Sequence, residues 1–417
     1  MIIKKVAAFL TAAALLSGST MFTPYEISET GTTVNASESE YEKSTQGFVT
    51  RMYNVVLNRN PDKTGLDNWT AKLNNHTLSA ADIISGFFNS QEYLGKNKSI
   101  DEQIDDCYNA MLGRNPDSQG KANWSERMNI GMTLNAVCNG FVGSQEFKNL
   151  CSSYGIEPGS MTMSLSRDKN YQRTYFVYRL YENCLGRTPD TAGLEDWCRK
   201  LDNGLTGSEI TVGFLHSKEF KDAHYGNDEY AVILYRTMLG REPDQTGLAN
   251  WVNKLNYTDT REKVANGFLF SNEFQKQCSD AGINTGNKIP EKDSSEEWYF
   301  NVEILRLVNI ERAAKGIHPL TTRQDLWEDV AMVRASEIVK SFSHTRPDGS
   351  NCFTAYDQAG IHYGYAGENI AYGYWSAENV VNAWMNSSGH RANILNTDFS
   401  VLATGYAPKY NYSQNFM

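Results

Sequence analysis

His344, Glu368 and His390 are the side chains whose types and spacing could do chemistry. They stand in three short, glycine-flanked segments: Phe-Ser-His-Thr-Arg-Pro-Asp-Gly from Phe342, Ala-Gly-Glu-Asn-Ile-Ala from Ala366, and Gly-His-Arg-Ala-Asn-Ile-Leu-Asn from Gly389. Two imidazoles and one carboxylate can form a three-ligand metal site with a position left open for water, as a catalytic zinc requires. Alternatively the Glu368 carboxylate can hydrogen-bond a histidine and hold it protonated, giving a polar cleft that binds a ligand and catalyses nothing. A purely structural role for His344 would be to cap the helix end before it, where a cation meets the helix dipole. Neither His-Glu-x-x-His nor Gly-x-Ser-x-Gly occurs, so the familiar hydrolase templates are missing. Asn369 and Arg391 flank the three residues, and His362 is a candidate for the rim of the same cleft.

These segments need elements to hold them. Apolar spacing predicts a helix over 298–314, with Phe300, Ile304, Leu307 and Val308 on one face. A second helix is expected over about 326–342, carrying Val330, Val333, Ile338 and Val339 inward and delivering His344 just after its end. A third, over 376–385, takes Ser376 as its cap and turns Val380, Val381 and Trp384 inward, with His390 just beyond it. Residues 401–406 and 410–416 are the clearest strands.

The ordered motifs of residues 297–417 resemble a bacterial CAP domain, also called SCP: the superfamily of cysteine-rich secretory proteins, antigen 5 and pathogenesis-related 1. The resemblance begins at Asn309–Leu320, takes in the three segments above and ends at Asn411–Phe416. It implies a three-layer α-β-α sandwich with a surface cleft lined by His344, Glu368 and His390. Many eukaryotic members carry a second acid three residues after the tryptophan of the preceding helix. Here Trp384 is followed at that place by Ser387, so the cleft set of four is incomplete.

Upstream lies an internal repeat. Its signature, Leu-x-Arg-x-Pro-Asp, Gly, Trp, Gly-Phe and Ser-x-Glu-aromatic, occurs four times, from Leu57, Leu112, Leu185 and Leu239. In each copy the tryptophan follows the proline by 8 residues, and successive prolines are 55, 73 and 54 residues apart. The array is therefore two pairs. Each copy reads as mainly helical: a Tyr-x-x-x-Leu run sets one apolar face, and Pro-Asp-x-x-Gly breaks the chain before the tryptophan helix. The recurring Asp62, Asp117, Asp190 and Asp244 suit a helix-capping turn better than a calcium loop, because the second copy offers only one carboxylate between Asp117 and Asn123. The tryptophans suit a core better than a glycan-stacking platform. The repeats resemble the bacterial secreted family DUF4214, itself similar in pattern to phycobilisome linker domains. That resemblance implies interaction or attachment.

The expected organisation is a signal peptide (1–36), repeats at 44–96 and 101–153, a linker (154–170), repeats at 171–225 and 228–284, a linker (285–296) and the CAP domain (297–417). The fold class expected is a mainly α helical array followed by an α+β domain. Lys4 and Lys5 precede an apolar run from Val6 to Leu16, and a small-residue site ends at Ala36, the pattern of an export signal. No later segment has the length of a membrane span, so the mature protein is expected outside the cell, released or held non-covalently to the wall. A formal net charge of -10 without a basic block excludes a nucleic-acid binder. The partners expected are wall polymer, a surface layer or a host glycan or protein for the repeats, and a small ligand for the cleft, with zinc the one cofactor the residues could hold. Seven cysteines match no zinc pattern. Cys138 with Cys151 and Cys184 with Cys198 are the disulfide pairings that spacing suggests. His76, His216 and His224 read as solvated repeat surface.

Overall fold

The computed structural model describes residues 41–288 and 296–417. The expected signal peptide, and most of the expected linker at 285–296, lie outside them. The chain forms two compact units: one runs to Ser125 and adds Val137–Met161, and the other combines Glu126–Ala136 with Thr162–Met417.

Every residue of the repeat signature has a structural occupation. The residue after the signature leucine (Asn58, Gly113, Gly186 or Gly240) has a positive φ of 51–76°, which ends the first helix in the left-handed region. The arginine two residues after that leucine grips the glutamate of Ser-x-Glu through Nε, at 2.7 Å for Arg59–Glu92, 2.6 Å for Arg114–Glu146, 2.8 Å for Arg187–Glu219 and 2.6 Å for Arg241–Glu273. Its guanidinium also lies over the ring of the preceding tyrosine, 4.8 Å from the Tyr53 centroid in the first copy. The aspartate accepts a hydrogen bond from the backbone N–H of the glycine three residues on, at 2.8 Å in all four copies. That is an N-cap, as the spacing suggested. The glycine is required by close approach: a Cβ on Gly120 would stand 2.1 Å from the Tyr108 hydroxyl. The tryptophan packs on the phenylalanine of Gly-Phe, with centroids 5.0–5.7 Å apart, and is half-buried. The serine caps the last short helix. In the second and fourth copies the Tyr-x-x-x-Leu run, expected as regular α-helix, is a π-helical turn (Tyr108–Leu112 and Tyr235–Leu239). Such a turn shifts the register of the face that follows by one residue.

Part of the expected linker at 154–170 is packed. Ser166–Lys169 forms a helical turn in which Ser166 and Asp168 are buried. The Asp168 carboxylate accepts from the Thr133 N–H at 2.8 Å.

In the carboxy-terminal domain a three-stranded antiparallel sheet runs β1 (Gly367–Tyr372), β2 (Leu402–Ala407) and β3 (Asn411–Phe416), in the order β1-β3-β2. Helices α1 (Glu296–Ala314) and α3 (Ala377–Asn386) cover one face, where Ile304, Val380, Trp384, Leu402, Tyr412 and Phe416 form a core. The other face carries a helical segment that begins at Gln324, turns as a π-helix over Trp327–Ala331 and continues as α2 (Met332–Lys340), with Val330, Tyr356 and Ala403 in its core. A short helix, α4 (Ser388–Ile394), follows α3. The architecture is a helical array followed by an α-β-α sandwich.

Two details of α2 depart from the sequence reading. Val333 and Val339 are exposed, and the inward stripe runs through Arg334, Ala335 and Ile338. Periodicity gave the buried place to a valine because a guanidinium is seldom buried unless it is paired, and Arg334 is paired. The cysteine pairings are corrected too: neither Cys138 with Cys151 nor Cys184 with Cys198 is bonded, and the Cys138 sulfur instead lies 3.9 Å from that of Cys107.

Within the second unit the third repeat seats against α1. The last carbonyls of α1, which have no partner inside the helix, accept hydrogen bonds from that repeat: Arg199 Nη1 to Ala314 O at 2.7 Å and Asn203 Nδ2 to Ala313 O at 2.8 Å. Asn309 of α1 donates to Glu209 at 3.1 Å.

Candidate functional site

The site is built around a buried carboxylate. Glu368 projects from β1, the strand formed by the Ala-Gly-Glu-Asn-Ile-Ala segment, and is 6% exposed. Arg334, fully buried on α2, reaches it with two nitrogens: Nε to Oε2 at 2.7 Å and Nη2 to Oε1 at 3.2 Å. Ser413 of β3 donates to Oε2 at 3.4 Å. His344 lies in the loop after α2 and meets Oε1 through Nδ1 at 2.8 Å, so its imidazole pairs with Glu368 instead of capping the helix. Burial alone would raise the Glu368 carboxyl. The His344 and Arg334 hydrogen bonds and the Arg334 charge outweigh it and hold the group below the ordinary carboxylate range.

A second ionic layer fixes the His344 loop. Arg334 Nη1 contacts Glu337 Oε2 at 2.5 Å and Arg334 Nη2 donates to Ser343 O at 2.9 Å, while Arg346 clamps Glu337 from the other side at 2.7 Å. Arg346 therefore ties the Pro-Asp-Gly turn to α2. Asp348 holds the turn, accepting from Ser350 N at 2.9 Å.

His390 lies just beyond the end of α3, as expected, and within the short helix α4 that follows it. Burial, with the nearby His344 adding to it, depresses its pKa, leaving a neutral imidazole at pH 7. Asn369 is fully buried and links the segments, donating through Nδ2 to His390 O at 3.1 Å and Gln414 Oε1 at 3.0 Å and accepting from Asn393 at 2.8 Å. Ser387 is the hinge between α3 and α4, and its side chain caps neither helix. Arg391 points outward to Met385 O at 2.9 Å.

The donors do not gather as the expected trio. Among the described residues the group close enough to share an ion is His344, Cys352 and Glu368, their ligand atoms within 4.8 Å of one another, and His390 is not in it. Cys352 was missed by sequence reasoning: it lies far from the other cysteines, and only the fold brings it under Glu368. Its thiol is pushed up to about 12, by burial first and the Glu368 charge second. This set fits a divalent cation poorly. Both Glu368 oxygens are already engaged, a buried guanidinium stands beside them, and the thiol holds its proton. Glu368 is built to orient His344, the role a carboxylate takes behind a working imidazole.

The domain models of two families match the chain. The cysteine-rich secretory protein family model, CAP, matches residues 305–417. The model for the domain of unknown function DUF4214 matches 33–97, 93–151, 163–224 and 222–278. The chain belongs to the DUF4214 family and carries a CAP domain. The chain is similar to the uncharacterized protein YkwD of Bacillus subtilis (strain 168), 38% identical over 26% of this chain and 42% of the relative. The uncharacterized membrane protein YlbC of the same organism is 29% identical over 52% of this chain and 66% of the relative. A solved extracellular SCP-domain protein from Bacillus anthracis str. Ames is 30% identical with TM-score 0.29, covering 32% of this chain and 44% of that one. A cysteine-rich secretory protein from Staphylococcus aureus subsp. aureus Mu50 is 19% identical with TM-score 0.26, covering 32% and 43%. The chain spans less than two thirds of the length of each.

A second polar cluster lies where the third DUF4214 repeat meets the CAP helix α1. Glu303, 1% exposed, and Arg306 form a buried pair at 2.6 Å beside an open groove of about 540 Å³ whose lining includes Trp197, His216, Lys221 and Glu378. His216 is half-buried there, its pKa lowered by burial. This corrects its reading as solvated surface: α1 covers it, and no sequence signal announced that contact.

Proposed function

We propose that this protein works outside the cell as a non-catalytic binding protein, whose CAP cleft holds a small polar ligand and whose DUF4214 repeats attach it to wall polymer, a surface layer or a host glycan. The observation that carries the reading is the state of Glu368. Gripped by Arg334 and bonded to His344, it is spent as a free acid, base or ligand, which leaves His344 Nε2 and the neutral His390 to receive a guest. An imidazole backed by a carboxylate donates well to an anionic or carbonyl oxygen, and a neutral one can accept. The absence of a second acid at Ser387 supports the same reading. So does the repeat signature, whose residues are all engaged in holding the repeat itself.

A second reading has one observation in its favour. The Glu368–His344 bond is also what fixes a metal-bound histidine, so His344 and His390 could together hold zinc in a hydrolase. Calorimetric titration of zinc into the full chain and into His344→Ala separates the two. No binding to the unmutated chain supports the non-catalytic reading; one-to-one binding lost in His344→Ala overturns it. Sedimentation of the full chain with isolated bacterial cell walls then tests attachment, and a chain left in the supernatant removes wall polymer as the partner.

A further inference from the structure

In the core of the second repeat, helices Ile100–Cys107 and Leu134–Gly143 face each other with the Cys107 and Cys138 sulfurs 3.9 Å apart, both residues fully buried. The other three repeats act as internal controls. The same two positions hold Met52 and Ile84 in the first copy, Leu180 and Thr211 in the third, and Leu234 and Ala265 in the fourth, all fully buried. One core contact is thus filled four times, and only in the second copy does cysteine occupy both of its sides. Cysteine used merely as a small apolar filler gives no reason for the two sides to change together. Elsewhere Cys184 and Cys198 meet threonine hydroxyls, at 3.8 Å from Thr237 and Thr174.

We propose that Cys107 and Cys138 are a disulfide-forming pair that staples the second repeat when the chain folds in oxidising surroundings. The sulfurs are within van der Waals contact of one another, so side-chain rotation with a small backbone adjustment brings them to bonding distance. The reaction is thiol–disulfide exchange with a small-molecule disulfide such as oxidised glutathione. One thiolate attacks it to give a mixed disulfide and releases one glutathione thiolate. The second cysteine, losing its proton, attacks the protein sulfur of that mixed disulfide and releases the other. Two protein thiols are oxidised and one glutathione disulfide is reduced to two thiols. Burial raises the Cys107 pKa well above the ordinary thiol value, so the exchange belongs to the folding chain or to an opened repeat, where the thiolate is accessible. The proposal is independent of the ligand read into the CAP cleft.

The test is to refold the full chain in a mixed oxidised and reduced glutathione buffer, quench with acid, denature, alkylate and weigh it. Of the seven cysteines, five should alkylate in the refolded protein and all seven after reduction. A proteolytic digest should contain one linked peptide pair joining Cys107 to Cys138, and reductant should lower Tm by several degrees. Seven alkylated cysteines in the refolded protein overturn the proposal, as does a linkage of Cys138 to Cys151. The double variant Cys107→Ala, Cys138→Val should show five alkylations with or without reductant and a Tm indifferent to it. If that variant fails to fold, the linked peptide from the unmutated chain still decides.

Discussion

Arg334 and Glu368 meet across the interior of the CAP domain through two hydrogen bonds of 2.7 and 3.2 Å, with both side chains all but removed from solvent. A buried pair of this kind has a large desolvation cost that its own attraction and additional hydrogen bonds offset. Ser343, Glu337, Ser413 and His344 supply those bonds. Arg334→Leu leaves the carboxylate buried with only His344 and the Ser413 hydroxyl beside it, and the loss should be about 3–5 kcal/mol in urea denaturation. Adding Glu368→Leu to that variant should recover part of the loss, because no unpaired charge then remains. A double variant no more stable than Arg334→Leu would mean that the ionic layer is not what that site contributes.

Two groups of the site give the domain an acid-sensitive stability. His390 has its folded pKa below the ordinary 6.5. The unfolded chain therefore binds its proton first, and the stability it contributes is complete above about pH 6.5 and falls as pH drops below that value. Glu368 lies below the ordinary 4.5, so its contribution is complete above about pH 4.5 and is lost as pH falls through its folded value. Urea midpoints measured from pH 8 to 3 should decline in two successive stages. His390→Gln should flatten the upper stage and leave the lower one in place.

The repeats make a steric prediction that contrasts two equivalent glycines. A Cβ on Gly140 would lie 2.3 Å from the Trp124 ring, whereas one on Gly213 would have nothing nearer than the Arg306 guanidinium at 3.5 Å and the Trp197 ring at 3.8 Å. Gly140→Ala should therefore destabilise by about 1–3 kcal/mol through overpacking. Gly213→Ala should be neutral or stabilising by up to about 1 kcal/mol, since alanine loses less backbone freedom in a helix. Thermal melts of the two variants side by side check the sign of each.

What could be read in the sequence follows from what is local. The caps of the repeat signature were legible because they act within one turn: Asp117 caps the helix that begins beside it, and Ser144 does the same for the next, whereas the Arg114–Glu146 grip spans 32 residues and is seen only in the fold. The three cleft segments were legible as motifs, and the structure brings His344 and Glu368 together. Arg334 and Cys352 were not legible, because each gains its role only from a strand that follows it later in the chain. The same is true of His216, covered by a helix of another domain, and of Cys107, whose partner stands 31 residues away on a separate helix. The exposed Val333 shows the limit of periodicity: a paired arginine can take the inward place that a valine seemed to claim.

The aspartate of each repeat turn separates a cap from a cation site. Asp117 Oδ1 accepts the Gly120 N–H at 2.8 Å, and the acceptor does not need a formal charge, since asparagine caps about as well as aspartate. Asp117→Ala should cost about 1 kcal/mol of stability, measured by urea denaturation, while Asp117→Asn should cost a few tenths at most. Calcium ligation would give the opposite pattern, because removing the loop's carboxylate charge weakens the ion as much as truncation does. Calcium should accordingly leave Tm unchanged in the parent chain and in both variants. A calcium-dependent rise in the parent that both substitutions abolish would replace the cap with an ion site.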